Sequence, residues 1–202
     1  MLKMANEAYV RTGLKQLCMA GGVALNSVTN GRILNETPFE SLYVQPAAGD
    51  SGGAAGAALY ANHVLLGRPR TFVMDHAYMG EEYDSGQIHG FLRSTGSSFE
   101  YVDQADRLVE RVAGEIIDGK VVAWFQGRFE WGPRALGNRS ILADPRRAEM
   151  KDIVNSKIKF REPFRPFAPV ILEDQVPEYF RTSYPEGGYP AQFMLLVEHF
   201  KD

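Results

Sequence analysis

The sequence predicts an α/β layer over residues 1–66 and a mixed α+β arrangement, strands and helices around an open twisted sheet, over residues 67–202. Two observations predict the first part. A short apolar strand runs into glycines and then into a helical pattern at residues 15–35, and the same order repeats at residues 41–66. One observation predicts the second: apolar runs that suit strands alternate there with patterns of helical period, beyond the break Gly67-Arg-Pro-Arg70. With 202 residues, 45% apolar and 23% charged, the chain has an ordinary globular composition, enough for one large domain or two small ones.

In order along the chain, Met1 opens directly onto a helical pattern. Lys15–Met19 reads as a strand, Gly21-Gly22 as a turn and Val23–Asn35 as a helix. Ser41–Gln45 is the next strand, followed by Pro46-Ala-Ala-Gly-Asp-Ser-Gly-Gly53 and an alanine-rich helix to about Leu66, whose small residues permit close packing on a sheet. In such an alternation ligands sit at the carboxyl ends of the strands, where these glycine turns lie. Beyond the linker, Tyr83–Arg93 is predicted helical, Phe99–Val102 a strand, and Asp106–Ile117 a helix with Leu108, Val109, Val112, Ile116 and Ile117 on one face. Asp118-Gly119 ends that helix and Val121–Phe125 forms a strand. Asp144-Pro145 offers a cap and first-turn proline for a helix carrying Met150, Ile153, Val154 and Ile158. Phe167–Leu172 reads as a strand weakened by Pro169, and Phe193–Val197 as strand-like. Both ends read as cut from a longer chain.

Charge is unevenly spread. Between Arg128 and Arg165 stand ten Lys or Arg against five Asp or Glu, a surplus of five positive charges in a chain of net charge −3. Arginine's planar fork forms two parallel bonds to phosphate or carboxylate oxygens, and glycines bring backbone N–H groups equally close. Arg128, Arg134 and Arg139 with Gly132, Asn138 and Ser140 therefore read as an anion site. The alternative pairs the arginines with Glu130, Asp144 or Glu162, but an exposed ion pair is worth only about 0 to 1 kcal/mol. Lys159 and Arg161, two apart on an extended segment, would present both cations on one face. A basic stripe on an acidic chain argues for a specific small anion and against general attraction to nucleic acid.

Other residues say less. Gly21, Gly22 and Asn26 offer N–H groups to a phosphate or ribose oxygen, or simply make a corner. Asp50 is either a cation ligand or a plain helix cap. Cys18, in Leu17-Cys-Met-Ala20, reads as a small buried core residue, and the four histidines show no paired ligand spacing. No nucleophile stands out, which suits transfer chemistry performed by positioning and charge stabilisation. Neither a signal-peptide pattern nor a run of about 18 apolar residues occurs, so the expectation is a soluble cytoplasmic protein without a membrane partner.

Gly21–Asn26, Gln45–Gly53, Gly127-Arg-Phe-Glu-Trp-Gly-Pro-Arg-Ala-Leu-Gly-Asn-Arg-Ser140 and Lys159-Phe-Arg-Glu-Pro-Phe-Arg-Pro-Phe-Ala-Pro169 together resemble the ATP-dependent O-carbamoyltransferases of nodulation-factor and antibiotic biosynthesis. The resemblance implies a C-terminal fragment: residues 1–66 end a threonylcarbamoyltransferase-like domain of the actin and Hsp70 type, and residues 67–202 form a YrdC-like domain that makes carbamoyl-adenylate from carbamoyl phosphate and ATP. The carbamoyl group would then pass to a hydroxyl of a small-molecule acceptor. It further implies that Gly21, Gly22 and Asn26 line a nucleotide pocket and that Asp50 is one ligand of a divalent metal, iron or magnesium, whose histidine ligands lie upstream. Arg128, Arg134, Asn138, Arg139 and Ser140 would surround the adenylate, Gly132 and Arg165 would also bind the cofactor, and Lys159 and Arg161 would be the pair that grips phosphate. A homodimer is left open. The rival readings are a threonylcarbamoyl-adenylate synthase-like enzyme and an RNA-binding or non-catalytic module.

Overall fold

A computed structural model of the chain describes residues 1–181 and 188–201. The chain forms two units, and neither is continuous in sequence: Met1–Tyr78, Trp131–Arg134 and Val170–Asp202 make the first, Met79–Glu130 and Ala135–Pro169 the second. The break predicted at Gly67 thus lies inside the first unit. Buried Ala77, whose carbonyl accepts the Trp131 N–H at 2.6 Å, belongs to it as well.

In the first unit, helix α1 (Leu2–Thr12) ends at Gly13, left-handed at φ 66, whose N–H closes the helix on the Tyr9 carbonyl. Strands β1 (Gln16–Met19) and β2 (Ser41–Val44) pair in parallel, Gln16 opposite Ser41 and Met19 opposite Val44. The connection between them carries a 3₁₀ turn (Gly22–Leu25) and helix α2 (Ser27–Glu36). Helix α2 starts later than the predicted Val23 because Asn26 caps it, its Oδ1 accepting the Thr29 N–H at 3.1 Å. Ala5, Ile33 and Phe39 form the local core with Leu17 and Met19 against it, and Tyr9 meets Phe39 edge-on at 5.9 Å. The period of two along β1 turns Leu17 and Met19 to that core, so Cys18 falls on the other face and is exposed, against the expectation of a buried residue. Helix α3 (Asp50–Tyr60), prolonged by a π turn to Leu65, has the predicted extent. None of its residues is buried, however. Among its glycines only Gly52 is closely packed, where a Cβ would strike the Ala47 carbonyl.

Neither predicted strand near the C-terminus forms. Phe167–Leu172 is irregular, since Pro169 offers no N–H to a ladder. Phe193–Val197 is irregular too, with Met194 at φ 56. It docks through buried Phe193 and Leu195 and through carbonyls: Leu195 O accepts Asn30 Nδ2 at 3.0 Å, and Val197 O lies so close to α2 that a Cβ on Gly31 would meet it at 2.8 Å. Short strands on either side of it, Phe180–Arg181 and His199–Phe200, pair antiparallel instead.

The second unit begins with helix α4 (Ser85–Ser94), held by a capping box in which Asp84 Oδ1 accepts the Gln87 N–H and Gln87 Oε1 accepts the Asp84 N–H. Helix α5 (Ala105–Ile117) follows. The segment 99–102 between them is not a strand. Its side chains are spent on the helices, Phe99 edge-on to His89 at 5.3 Å and Glu100 paired with Arg111 at 2.6 Å. Strands β3 (Val122–Phe125) and β4 (Arg139–Leu142) are antiparallel, with Phe125 opposite Arg139. This pair and the bridge between Glu82 and Arg128 are the β-structure of the unit among the described residues, in place of the expected open sheet. The helix expected at Pro145 starts only at Met150 (α6, Met150–Ile153, continuing as a π turn to Lys159), because Asp144 folds onto the N–H and guanidinium of Arg146. Met150, Val154 and Asn155 are buried there.

Candidate functional site

The two glycine turns of the first unit lie together at the carboxyl ends of β1 and β2, where the strand order predicted a site. The Gly21 N–H donates to the Ala48 carbonyl at 2.8 Å, joining one turn to the other. Gly21, at φ 91, adopts a conformation that L side chains rarely reach. Trp131–Arg134 packs onto the same turns. Gly132, at φ 128, lets the chain pass so close to Pro46 that a Cβ would meet its carbonyl at 2.8 Å, and Arg134 Nη2 donates to the Leu25 carbonyl at 3.0 Å. Gly21, Gly22, Asn26, Gly132 and Arg134 are therefore brought to one place. Arg134 Nε is buried and has no acceptor among the described residues.

Asp50 follows at the first turn of α3, exposed and without a hydrogen bond or ion pair among the described residues. No group of three or more His, Cys, Asp or Glu side chains among those residues is placed to hold a metal ion. One carboxylate does not make a metal centre, so the side chains described do not fit a resident metal.

The remainder of the arginine-glycine loop connects β3 to β4 in the second unit and is organised by two charges. The Glu130 carboxylate accepts backbone N–H groups from Leu136 (2.8 Å), Asn138 (2.9 Å) and Arg139 (3.2 Å), all on Oε1. Burial pushes the Glu130 carboxyl up, but these backbone bonds outweigh it and hold the group below its ordinary range. Arg139 faces the opposite backbone groups. Nη1 donates to the carbonyls of Gln126 and Asn138, Nη2 to that of Gly127, and the guanidinium lies between the Phe125 and Phe129 rings at 3.6 and 3.9 Å from their centroids. Asn138 is buried and its amide is spent internally, Nδ2 to Arg128 O and Oδ1 from Gln126 Nε2. Ser140 Oγ accepts the Gly137 N–H at 3.0 Å, and Arg128 makes a long exposed contact with Glu82.

Lys159 and Arg161 are not presented together on an extended segment. Lys159 ends the π turn, Phe160 is left-handed at φ 49, and the reversal folds Arg161 back onto buried Asn155, with Nε to Oδ1 at 2.7 Å and the guanidinium over Phe167. Asn155 Nδ2 holds the same turn through the carbonyls of Pro163 and Arg165. Arg165 pairs with Glu162 at 2.7 Å, and Lys159 has no hydrogen-bond or ion-pair partner among the described residues. The cations singled out in the second unit thus divide into three held by their own protein contacts, Arg139, Arg161 and Arg165, one weakly held, Arg128, and one left open, Lys159. Sequence reasoning missed Glu130 and Asn155 as organisers. The signal for Glu130 was a lone carboxylate amid glycines and cations.

Comparison with known proteins matches residues 1–59 to the family described as Carbamoyltransferase N-terminus and residues 113–202 to that described as Carbamoyltransferase C-terminus. An uncharacterized protein of Synechocystis sp. is 44% identical over 100% of this chain and 33% of its own length. Nodulation protein NolO of Bradyrhizobium diazoefficiens is 42% identical over 95% of the chain and 34% of its own. The 3'-hydroxymethylcephem-O-carbamoyltransferase of Amycolatopsis lactamdurans is 35% identical over 90% and 33%. The chain spans about a third of the length of the curated relatives it matches. No helix among the described residues is long and apolar enough to cross a membrane.

Proposed function

Since the chain belongs to the carbamoyltransferase family, we propose that this protein moves a carbamoyl group from carbamoyl phosphate to a hydroxyl of a small-molecule acceptor, with ATP activating it as carbamoyl-adenylate. In this reading the first region is the end of a threonylcarbamoyltransferase-like, actin-type domain and serves transfer; the second is YrdC-like and serves adenylate formation. The observation that carries it is the seat of Arg134. Its buried Nε–H lacks an acceptor beside two glycine turns, and an unsatisfied buried donor costs about 1 to 3 kcal/mol. A phosphoryl oxygen of the nucleotide relieves that cost, and Gly22, whose neighbour Gly21 spends its N–H on the Ala48 carbonyl, adds a backbone N–H at the strand end.

The chemistry asked of these residues is charge stabilisation. Arg134 neutralises phosphoryl charge in the first unit, and Lys159, with no protein partner, meets phosphate in the second. Asn138 and Arg139 hold the β3–β4 loop in shape.

Isothermal titration tests the reading, with carbamoyl phosphate plus ATP and with a stable carbamoyl-adenylate analogue as titrants. The wild-type chain should bind, and Arg134→Ala and Lys159→Ala should each weaken binding by about tenfold or more, as loss of a charged hydrogen bond predicts. Unchanged affinity in the double variant would sink these roles.

A further inference from the structure

The Glu130 side chain takes no part in the proposed charge stabilisation, yet it makes three backbone hydrogen bonds in the loop, as many as Arg139. Three N–H donors converging on one oxygen is the geometry by which backbone receives a bound anion. Here the anion is the chain's own carboxylate: Oε1 takes Leu136, Asn138 and Arg139, and the one remaining amide of the run, Gly137, goes to Ser140 Oγ. A carboxylate held below its ordinary range stays charged at neutral pH and has no proton to give, so its part is not that of an acid. What it fixes is direction. With the amides of 138 and 139 gathered on Glu130, the Asn138 carbonyl is left to receive the Gln126 N–H at 2.9 Å, and the Arg139 side chain reaches Gln126 and Gly127 between the two phenylalanine rings.

We infer that Glu130 is a positioning residue, whose carboxylate acts as a built-in anion around which residues 136–139 fold and which thereby holds the β3–β4 loop in the shape that ligand binding requires. The link to ligand binding rests on the proposed function; the folding of the amides around Glu130 does not.

The test uses the full chain with Glu130→Gln and Glu130→Ala, followed by amide NMR spectra and hydrogen exchange, together with titration of a stable carbamoyl-adenylate analogue. Glu130→Gln keeps the side-chain shape and removes the charge. The N–H signals of Leu136, Asn138 and Arg139 should shift and exchange about tenfold faster, and affinity for the analogue should fall about tenfold, with the unfolding midpoint nearly unchanged. In the wild type those three amide signals should titrate together with one carboxylate, and the titration should vanish in Glu130→Gln. Wild-type shifts and protection in Glu130→Gln overturn the inference, and they decide it even if Glu130→Ala does not fold. Normal affinity beside altered amides overturns the link to the ligand. If the wild type itself binds no analogue, the proposed function fails, and the amide measurements still decide whether Glu130 gathers the loop.

Discussion

Glu130 and Arg139 are joined by a backbone contact: the Arg139 N–H donates to Glu130 Oε1 at 3.2 Å, while the Arg139 guanidinium turns to the carbonyls of Gln126, Gly127 and Asn138. The negative group collects N–H donors and the positive group collects C=O acceptors. A glycine-rich loop without a strand partner leaves both kinds of backbone group in need of bonds, and two opposite charges satisfy them from two sides.

Replacing Arg139 should therefore cost stability before it costs chemistry. Arg139→Ala loses three carbonyl bonds and stacking on two rings, and should lower stability by about 2 to 3 kcal/mol. Arg139→Lys should recover only part of this, since an ammonium cannot span the same carbonyls in one plane. Urea unfolding of the two variants against the wild type measures the effect; equal midpoints for all three would refute it.

Asp144 should govern stability in acid. Two bonds from the Arg146 side chain and one from its backbone N–H hold the Asp144 carboxyl down at about 2, against an ordinary value of 3.8. A depressed carboxyl stabilises the fold fully above the unfolded value and loses that contribution as pH falls through the folded one. The loss should fall between pH 3.8 and about 2, and Asp144→Asn should flatten the midpoint over that window in thermal unfolding.

Gly132→Ala should disturb the first-unit site. A Cβ at φ 128 is strained wherever it sits, and this one would lie 2.8 Å from the Pro46 carbonyl. Backbone strain of this kind costs about 1 to 3 kcal/mol. Ligand titration should show weakened binding, whereas Gly53→Ala, with open space around its Cβ, serves as the control and should bind normally.

Salt dependence separates a small ligand from RNA. Affinity for RNA would fall with a log–log slope of about 0.7 for each phosphate contacted on a single strand. A carbamoyl-adenylate analogue should give a shallow slope, measured at two salt concentrations. A steep slope with RNA and no binding of the analogue would overturn the proposed function.

Much of the local structure was legible in the sequence. The strands at residues 16–19, 41–44 and 122–125 and the helices α3, α4 and α5 fall within a few residues of their predicted limits, because each carries its own period and its own stop signal. Failures came where a segment's fate depends on a partner elsewhere. Phe99–Val102 has the apolar residues of a strand, but its rings and Glu100 find α4 and α5 instead. Asp144 could cap a helix or take Arg146, and the guanidinium two residues away prevails. Gly132 and Arg134 lay in the stretch read as an anion site, Gly21 and Gly22 in a turn that offered either a ligand site or a plain corner, and the structure gathers those four in one unit. Arg139 and Arg161 carried the same signal, yet several protein oxygens or rings hold their guanidinium groups, although Arg139 Nε, like that of Arg134, is buried without an acceptor among the described residues.

The sequence by itself determined the succession of elements, the two glycine turns at the strand ends and the concentration of positive charge after β3, since period, turn chemistry and net charge are local properties of the chain. Only the tertiary structure decided which cations remain available. A guanidinium bonds whichever oxygens lie within its reach, and those oxygens, on Leu25, Gln126 and Asn155, come from residues 6 to 109 positions away.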